Sequence, residues 1–313
     1  MPIVDGNRGV AGIDVDGWKE LQDVAGRLSR VSREQRYDVY ELFDWPVSLP
    51  TDAYWMSPEL TTCHGTEVWE KLDERHRVVL SRYEAVSFFS LNVHLIRDLI
   101  GEVAYRIHTT RFPGLSEFFH DFIHEENEHM WFFAQFCERY GGKVYSARDV
   151  IMRSATRPDV IQDLMVFGRI LIAEELCDVF NARMAKDKRL PPIVQQINAV
   201  HHGDESRHIA FGRQMLRALR EEAARRVPPD ELRGAGEYLA RYISVCLRSF
   251  YNTAMYTDAG LSGARSVRAR LIADPARHAA HREIMGRTVA YLDRIGILHP
   301  AMVRWLWHPP RWI

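Results

Sequence analysis

The sequence of 313 residues predicts an all-α protein, a four-helix bundle core with additional N- and C-terminal helices. Three observations carry that expectation. From Val68 onward apolar residues recur at spacings of three and four, and the strict alternation of a half-buried strand is nearly absent. Proline and glycine clusters cut the stretch into four long segments. No repeat of solenoid period and no low-complexity linker interrupts it, so one domain is expected over 1–313, with its core at about 73–226.

The N-terminal arm, 1–69, is mixed in pattern, with one amphipathic helix expected from Asp16 to Val31 and a Pro- and aromatic-rich stretch, DWPVSLPTDAYW, at 44–55. The first core helix runs from about Asp73 to Thr109, in one piece or two, and stops at Phe112-Pro113-Gly114. The second starts near Ser116, with Glu117 in its first turn, and ends at Gly141-Gly142. The third spans about Asp159 to Lys188, closed by Pro191-Pro192, and the fourth Ile193 to Arg226, closed by Pro228-Pro229. The C-terminal extension, 230–313, reads as a helix near Asp230–Tyr256, a break at Gly260 and Gly263, and a helix from about Ala276 to Arg294. Its aromatic end, MVRWLWHPPRWI, is expected to pack through Trp305, Trp307 and Trp312 against the body or a second subunit.

Composition narrows the function. Lys+Arg 41 against Asp+Glu 42 gives a formal net charge of -1, which removes the electrostatic case for a nucleic-acid or anionic-membrane partner. No apolar run approaches the roughly 20 residues that span a bilayer, and the opening MPIVDGNRGV lacks the pattern of a signal peptide. Four widely separated cysteines, Cys63, Cys137, Cys177 and Cys246, make no disulfide framework and point to a reducing cytoplasm. A small molecule is the expected partner, with a homodimer allowed.

The chemistry lies in two matched motifs. On the second core helix Phe119, Phe122, Glu126, His129, Phe133 and Phe136 share one face, and on the fourth Ile197, His201, Glu205, His208, Phe211 and Met215 do the same. Each face carries a Glu-x-x-His. One copy is weak, because Glu and His are ordinary helix-surface residues. Two copies on apolar faces differ, since an unpaired buried carboxylate costs several kcal/mol and metal coordination removes that penalty. On the third helix Leu171, Glu174 and Asp178 share a face, the first two within the apolar run LMVFGRILIAEELC (164–177) and Asp178 just after it. A dinuclear bundle site needs Glu-x-x-His from two helices and a Glu from each of the other two. Periodicity does not separate Glu174 from Glu175; Glu174 is preferred. This donor ratio suits iron or manganese, whereas structural zinc favours cysteine.

IAEELCD (172–178), HHGDESRHIAFGR (201–213), YEAVSFFS (83–90) and HEENEH (124–129) together resemble the p-aminobenzoate N-oxygenase family of ferritin-like non-haem diiron oxygenases. The resemblance runs from about Arg75 to Met215 and is strongest from Glu174 to Arg213. It implies a ferritin-like bundle, two iron ions with manganese able to replace one, O2 as co-substrate, an external electron donor, and oxygenation of a small organic substrate, often in secondary metabolism. It also implies that Glu126, His129, Glu174, Glu205 and His208 are metal ligands, with His201 the family's additional histidine and His202 on the surface. Phe119, Phe122, Phe133, Phe136 and Phe211 would line the pocket. Asp204, Glu125 and Asp178 are candidates to orient ligating histidines.

One departure stands out. The family's first-helix glutamate falls near Ile96, where there is no carboxylate. Ala85, Phe88, Phe89, Asn92, Ile96, Leu99 and Val103 form the apolar face, while Glu84, Ser87, His94, Asp98 and Glu102 follow the other. Either His94 and Asp98 sit on a polar face, or a local shift makes one of them a ligand. The expected function is an oxygen-activating diiron monooxygenase performing N-oxygenation of an amine or C-hydroxylation. The alternatives are a ferritin-like metal-binding scaffold without oxygenase activity and, more weakly, a radical-generating subunit resembling the small subunit of ribonucleotide reductase.

Overall fold

The computed structural model describes residues 15–146 and 157–308, and among these every regular element is helical. Helix α1 (Val15–Glu34) is followed by an irregular stretch with a single 3-10 turn at Pro58–Leu60 and the one-turn α2 (Glu67–Glu70). The four long helices are α3 (Glu74–Ala104), α4 (Ser116–Phe136), α5 (Asp159–Met184) and α6 (Pro192–Arg226). Beyond them come α7 (Pro229–Ser249), α8 (Thr253–Asp258), α9 (Ala264–Ala273), α10 (Pro275–Arg294) and α11 (Pro300–Leu306).

The breakers set the boundaries. Asp73 caps α3 by accepting from the His76 amide at 2.9 Å. Proline supplies the N-terminal boundary of α5, α6 and α7, where a missing N–H costs nothing because the first turn has no acceptor for it. After α4 the chain makes a π-helical turn, Cys137–Gly141, and stops at Gly142, whose φ of 67° lies in the left-handed region that glycine enters freely. Two sequence expectations are corrected here. The helix expected over Asp230–Tyr256 is broken between α7 and α8, where the Asn252 side chain accepts from the Ala254 amide and starts a new helix. The break at Gly260 and Gly263 leads into α9, a helix the sequence pattern does not announce.

Short loops make sequential neighbours antiparallel. Phe89 of α3 meets Phe133 of α4 (ring centroids 5.0 Å), and further along α3 Val103 shares a small cavity with Phe118 and Phe119. On the other pair, Glu175 of α5 meets Arg213 of α6, while Asp178 meets His202. These two hairpins form the core bundle, α1 lies against α4 and α6, and α7 and α10 cover α5. Gly212 lets α5 and α6 approach closely at the site, since a Cβ there would already stand 3.2 Å from Leu171 Cδ1. Trp305 and Trp307 pack, half-buried, against the body; Trp312 lies outside the described residues.

Candidate metal centre

The faces of α4 and α6 meet at Glu126, His129, Glu205 and His208, which offer one ligand atom each, all within 4.8 Å of one another. All four are at most 1% exposed. His208 Nδ1 lies 2.9 Å from Glu126 Oε1 and 3.6 Å from Glu205 Oε2, and His129 Nδ1 lies 3.8 Å from Glu126 Oε2 and 3.7 Å from Glu205 Oε1. Yet Glu126 Oε1 and Oε2, Glu205 Oε2, His129 Nδ1 and His208 Nδ1 make no hydrogen bond. Buried polar atoms normally find a partner. Donor atoms that converge without bonding one another form the arrangement a cation satisfies, and an all-oxygen-and-imidazole set suits iron or manganese.

Two more predicted residues lie beside this cluster. Glu174 is buried on α5 with neither carboxylate oxygen hydrogen-bonded, whereas neighbouring Glu175 is fully engaged, accepting from Arg213 Nε at 2.7 Å and from Thr288 Oγ1 at 2.5 Å. Of the two carboxylates, Glu174 therefore has donor atoms to spare. His201 sits one turn before Glu205, its Nε2 3.0 Å from Glu205 Oε1 and its ring 4.5 Å from that of His129. Electrostatics agree with this crowding. Burial pushes the Glu174 carboxyl well above the usual range, and the nearby Glu205 and Glu126 add to the rise.

The far nitrogens of two histidines are held by carboxylates. His129 Nε2 lies 3.1 Å from Asp204 Oδ2, and His208 Nε2 lies 2.9 Å from Glu125 Oε2. Asp204 and Glu125 thus take the orienting role expected of them; Asp178 does not, because it pairs with His202 at the half-exposed edge of α5 and α6. Arg207 ties the two carboxylates together, its Nη2 donating to Glu125 Oε1 at 2.5 Å and to Asp204 Oδ1 at 2.6 Å. Tyr37 OH donates to Asp204 Oδ2 at 2.9 Å, and Ser32 and Gln35 of α1 and its extension accept from Arg207. Burial would raise the Asp204 carboxyl, but His129 and Arg207 outweigh it and hold Asp204 down to about 2. Burial alone would lower His129, but Asp204, Glu126 and Glu205 lift it to about 10.

Arg207 and Tyr37 are not among the residues the sequence singles out. Arg207 carries a signal, being enclosed between Glu205 and His208 on a helix whose inner face is otherwise apolar; Tyr37, 167 residues from Asp204, carries none.

Helix α3 contributes neither of its candidates. His94 Nε2 bonds to the Tyr145 carbonyl at 2.8 Å, and Asp98 lies in a shallow groove beside Leu95, Glu102 and Tyr242, so both follow the polar face. The Phe89–Phe133 contact at one end and the Val103 contact with Phe118 at the other bracket the level of His129 and Glu126, which on α3 holds Asn92 and Ile96. Beside Glu174 and His208 is a cavity of about 10 Å³, walled by Phe118, Phe119, Phe122, Phe167 and Phe211. That is room for about one water-sized molecule. Phe133 and Phe136 do not line it, contrary to the sequence expectation: Phe133 packs on His201, and Phe136 on Trp55 and Phe89.

The family model described as P-aminobenzoate N-oxygenase AurF matches residues 19–296. Among curated proteins, uncharacterized proteins of Mycobacterium tuberculosis and Mycobacterium bovis are 25% identical over 221 residues, covering 66% of this chain. The chain spans 63% of the length of those relatives. Among solved structures, a mutant of an R2-like ligand-binding oxidase with anaerobically reconstituted Mn/Fe cofactor is similar at TM-score 0.46 and 16% identity, over 87% of this chain and 94% of that one. A second R2-like ligand-binding oxidase mutant, with aerobically reconstituted Mn/Fe cofactor, is similar at TM-score 0.43 and 14% identity, over 87% and 95%.

Proposed function

Because the chain belongs to the p-aminobenzoate N-oxygenase AurF family, we propose that it is a non-haem dimetal monooxygenase that places one oxygen atom of O2 on a small organic substrate. One observation carries the reading: buried donor atoms of Glu126, His129, Glu205 and His208 converge from two helices, and Glu174 and His201 beside them keep buried donor atoms without a hydrogen-bond partner. These six residues would hold two iron ions, manganese being able to replace one, and the bound metals would supply electrons to dioxygen. The chain's own part is to fix the donors and exclude water. The phenylalanine wall around Glu174 and His208 keeps the centre dry, and the Asp204–Arg207–Glu125 bridge holds His129 and His208 with Nδ1 facing inward.

The phenylalanine lining of the small cavity suits an aromatic or alkyl substrate, which would enter by parting those side chains, with N-oxygenation of an amine first and C-hydroxylation second, in secondary metabolism and with an external electron donor. No described helix is long and apolar enough to cross a membrane, and the four cysteines are free and buried, which supports work in a reducing compartment such as the cytoplasm. The absence of an α3 carboxylate at the level of the centre favours a second reading, a metal-binding scaffold without oxygenase activity.

Two experiments decide. His208→Ala deletes a ligand and leaves α6 intact, so it should lose stoichiometric iron while its circular dichroism stays helical; two irons per chain by elemental analysis would show the centre misassigned. Anaerobic loading of the wild-type protein with ferrous iron, then exposure to O2, should give a transient visible absorption that decays faster with an arylamine present. Iron binding without O2 consumption would favour the scaffold.

A further inference from the structure

Two of the three histidines at the centre are backed by carboxylates; the third is not. Asn181, on α5 seven residues past Glu174 and so two turns along the same face, is 0% exposed, and its carboxamide, placed with Nδ2 toward the ring, meets Nδ1 of His201. The two ends of a carboxamide have nearly the same shape, so the surrounding bonds decide which one faces the ring. If the NH2 donates to Nδ1, the ring must carry its proton on Nε2. That nitrogen makes no hydrogen bond, although Glu205 Oε1 is 3.0 Å away, and a protonated Nε2 offers no lone pair to a metal. If the amide oxygen accepts from Nδ1–H, Nε2 presents its lone pair beside the Glu205 carboxylate, as a ligand must. In the opposite arrangement Asn181 Oδ1 has no hydrogen-bond partner at all.

We propose that Asn181 is a positioning residue that fixes His201 as the Nδ1–H tautomer through its amide oxygen, and that this neutral support makes His201 a weaker donor than His129 and His208. The inference rests on the reading of His201 as a metal ligand. A carboxylate behind an imidazole raises its basicity, and an uncharged amide does so less. The centre thereby holds two imidazoles firmly, through Asp204 and Glu125, and one more loosely.

The test uses the purified full chain, stripped of metal and titrated with Co2+, whose visible spectrum reports the number and kind of its ligands. Asn181→Leu should bind Co2+ roughly 10–100-fold more weakly and change the spectrum. Asn181→Asp, which can only accept from Nδ1–H, should bind as tightly as wild type or more so, with the wild-type spectrum. Wild-type affinity in Asn181→Leu, or an Asn181→Asp variant that behaves like Asn181→Leu, would overturn the inference, the second by showing that the amide donates to the ring. Should Asn181→Leu not fold, as judged by circular dichroism, Asn181→Ala replaces it under the same criteria. His201→Ala separates the two layers of the argument: an unchanged Co2+ spectrum there would refute the ligand role itself. A changed spectrum there, with wild-type behaviour in Asn181→Leu, would refute Asn181 alone. The double variant His201→Ala/Asn181→Leu should be no worse than His201→Ala; additive losses would mark Asn181 as merely structural.

Discussion

Replacing Arg207 with Ala should damage the fold and the metal centre by separable amounts. The guanidinium is buried and bridges Glu125 and Asp204, the carboxylates behind His208 and His129. Removing one partner of a buried ion pair costs about 3–5 kcal/mol, because a charge is left unpaired. Here each carboxylate keeps a histidine, and Asp204 also keeps Tyr37, so the loss should sit near the lower end, about 3 kcal/mol. Urea unfolding of the metal-free protein measures this part. The second part is positional: without Arg207 both carboxylates are free to turn, and each histidine that is no longer oriented should weaken metal binding by about 10–100-fold. A ferrous or Co2+ titration reads it. Arg207→Lys keeps the charge, but a single ammonium cannot also replace the Nε and Nη1 bonds to Ser32 and Gln35 that hold the guanidinium in place, so it should fall between Ala and wild type in both assays. An Arg207→Ala protein that is destabilised yet binds metal within about twofold of wild type would refute the claim that the bridge orients the histidines.

Two other outcomes follow from residues around the centre. The metal nearer His129 should leave first under mild chelation, because α3 brings Asn92 and Ile96 rather than a carboxylate to its level; anomalous diffraction at the iron edge should show lower occupancy beside His129 than beside His208, and equal occupancy would refute this. Away from the metals, burial raises the Glu84 carboxyl from 4.5 to about 7 against the opposing bonds from Thr62, so the folded state prefers the protonated form: stability present below pH 4.5 is lost as pH rises through about 7, by up to about 3 kcal/mol. Glu84→Gln should flatten that part of the pH profile of urea midpoints, and an unchanged slope would show that Glu84 titrates normally.

The Glu-x-x-His pairs were legible because helical spacing is local: once Pro192 and Ser116 start the helices, the faces holding Glu126, His129, Glu205 and His208 follow from 3.6 residues per turn. Helix ends were legible for the same reason wherever Pro or Gly enforces them, and the break at Asn252 has its own local signal, a capping side chain. What periodicity lacks is the identity of the neighbour. It places Glu174 and Glu175 on one inward-tending stretch, and only the arrival of Arg213 and Thr288 from distant helices occupies one carboxylate and leaves the other bare. It likewise cannot show that Tyr37 closes over Asp204, or that Asn181 rather than an acid stands behind His201. On α3 the same local rule separates the face of Asn92 and Ile96 from that of His94 and Asp98, and the structure sends the second face to the Tyr145 carbonyl and a surface groove. With that helix neutral at this level, Glu126, Glu174 and Glu205 as ligands would bring three negative charges against the four positive charges of two divalent cations. A centre left one charge short of neutrality should take the second cation more weakly than the first, so the sequential metal loss expected beside His129 has an electrostatic cause as well as a missing ligand.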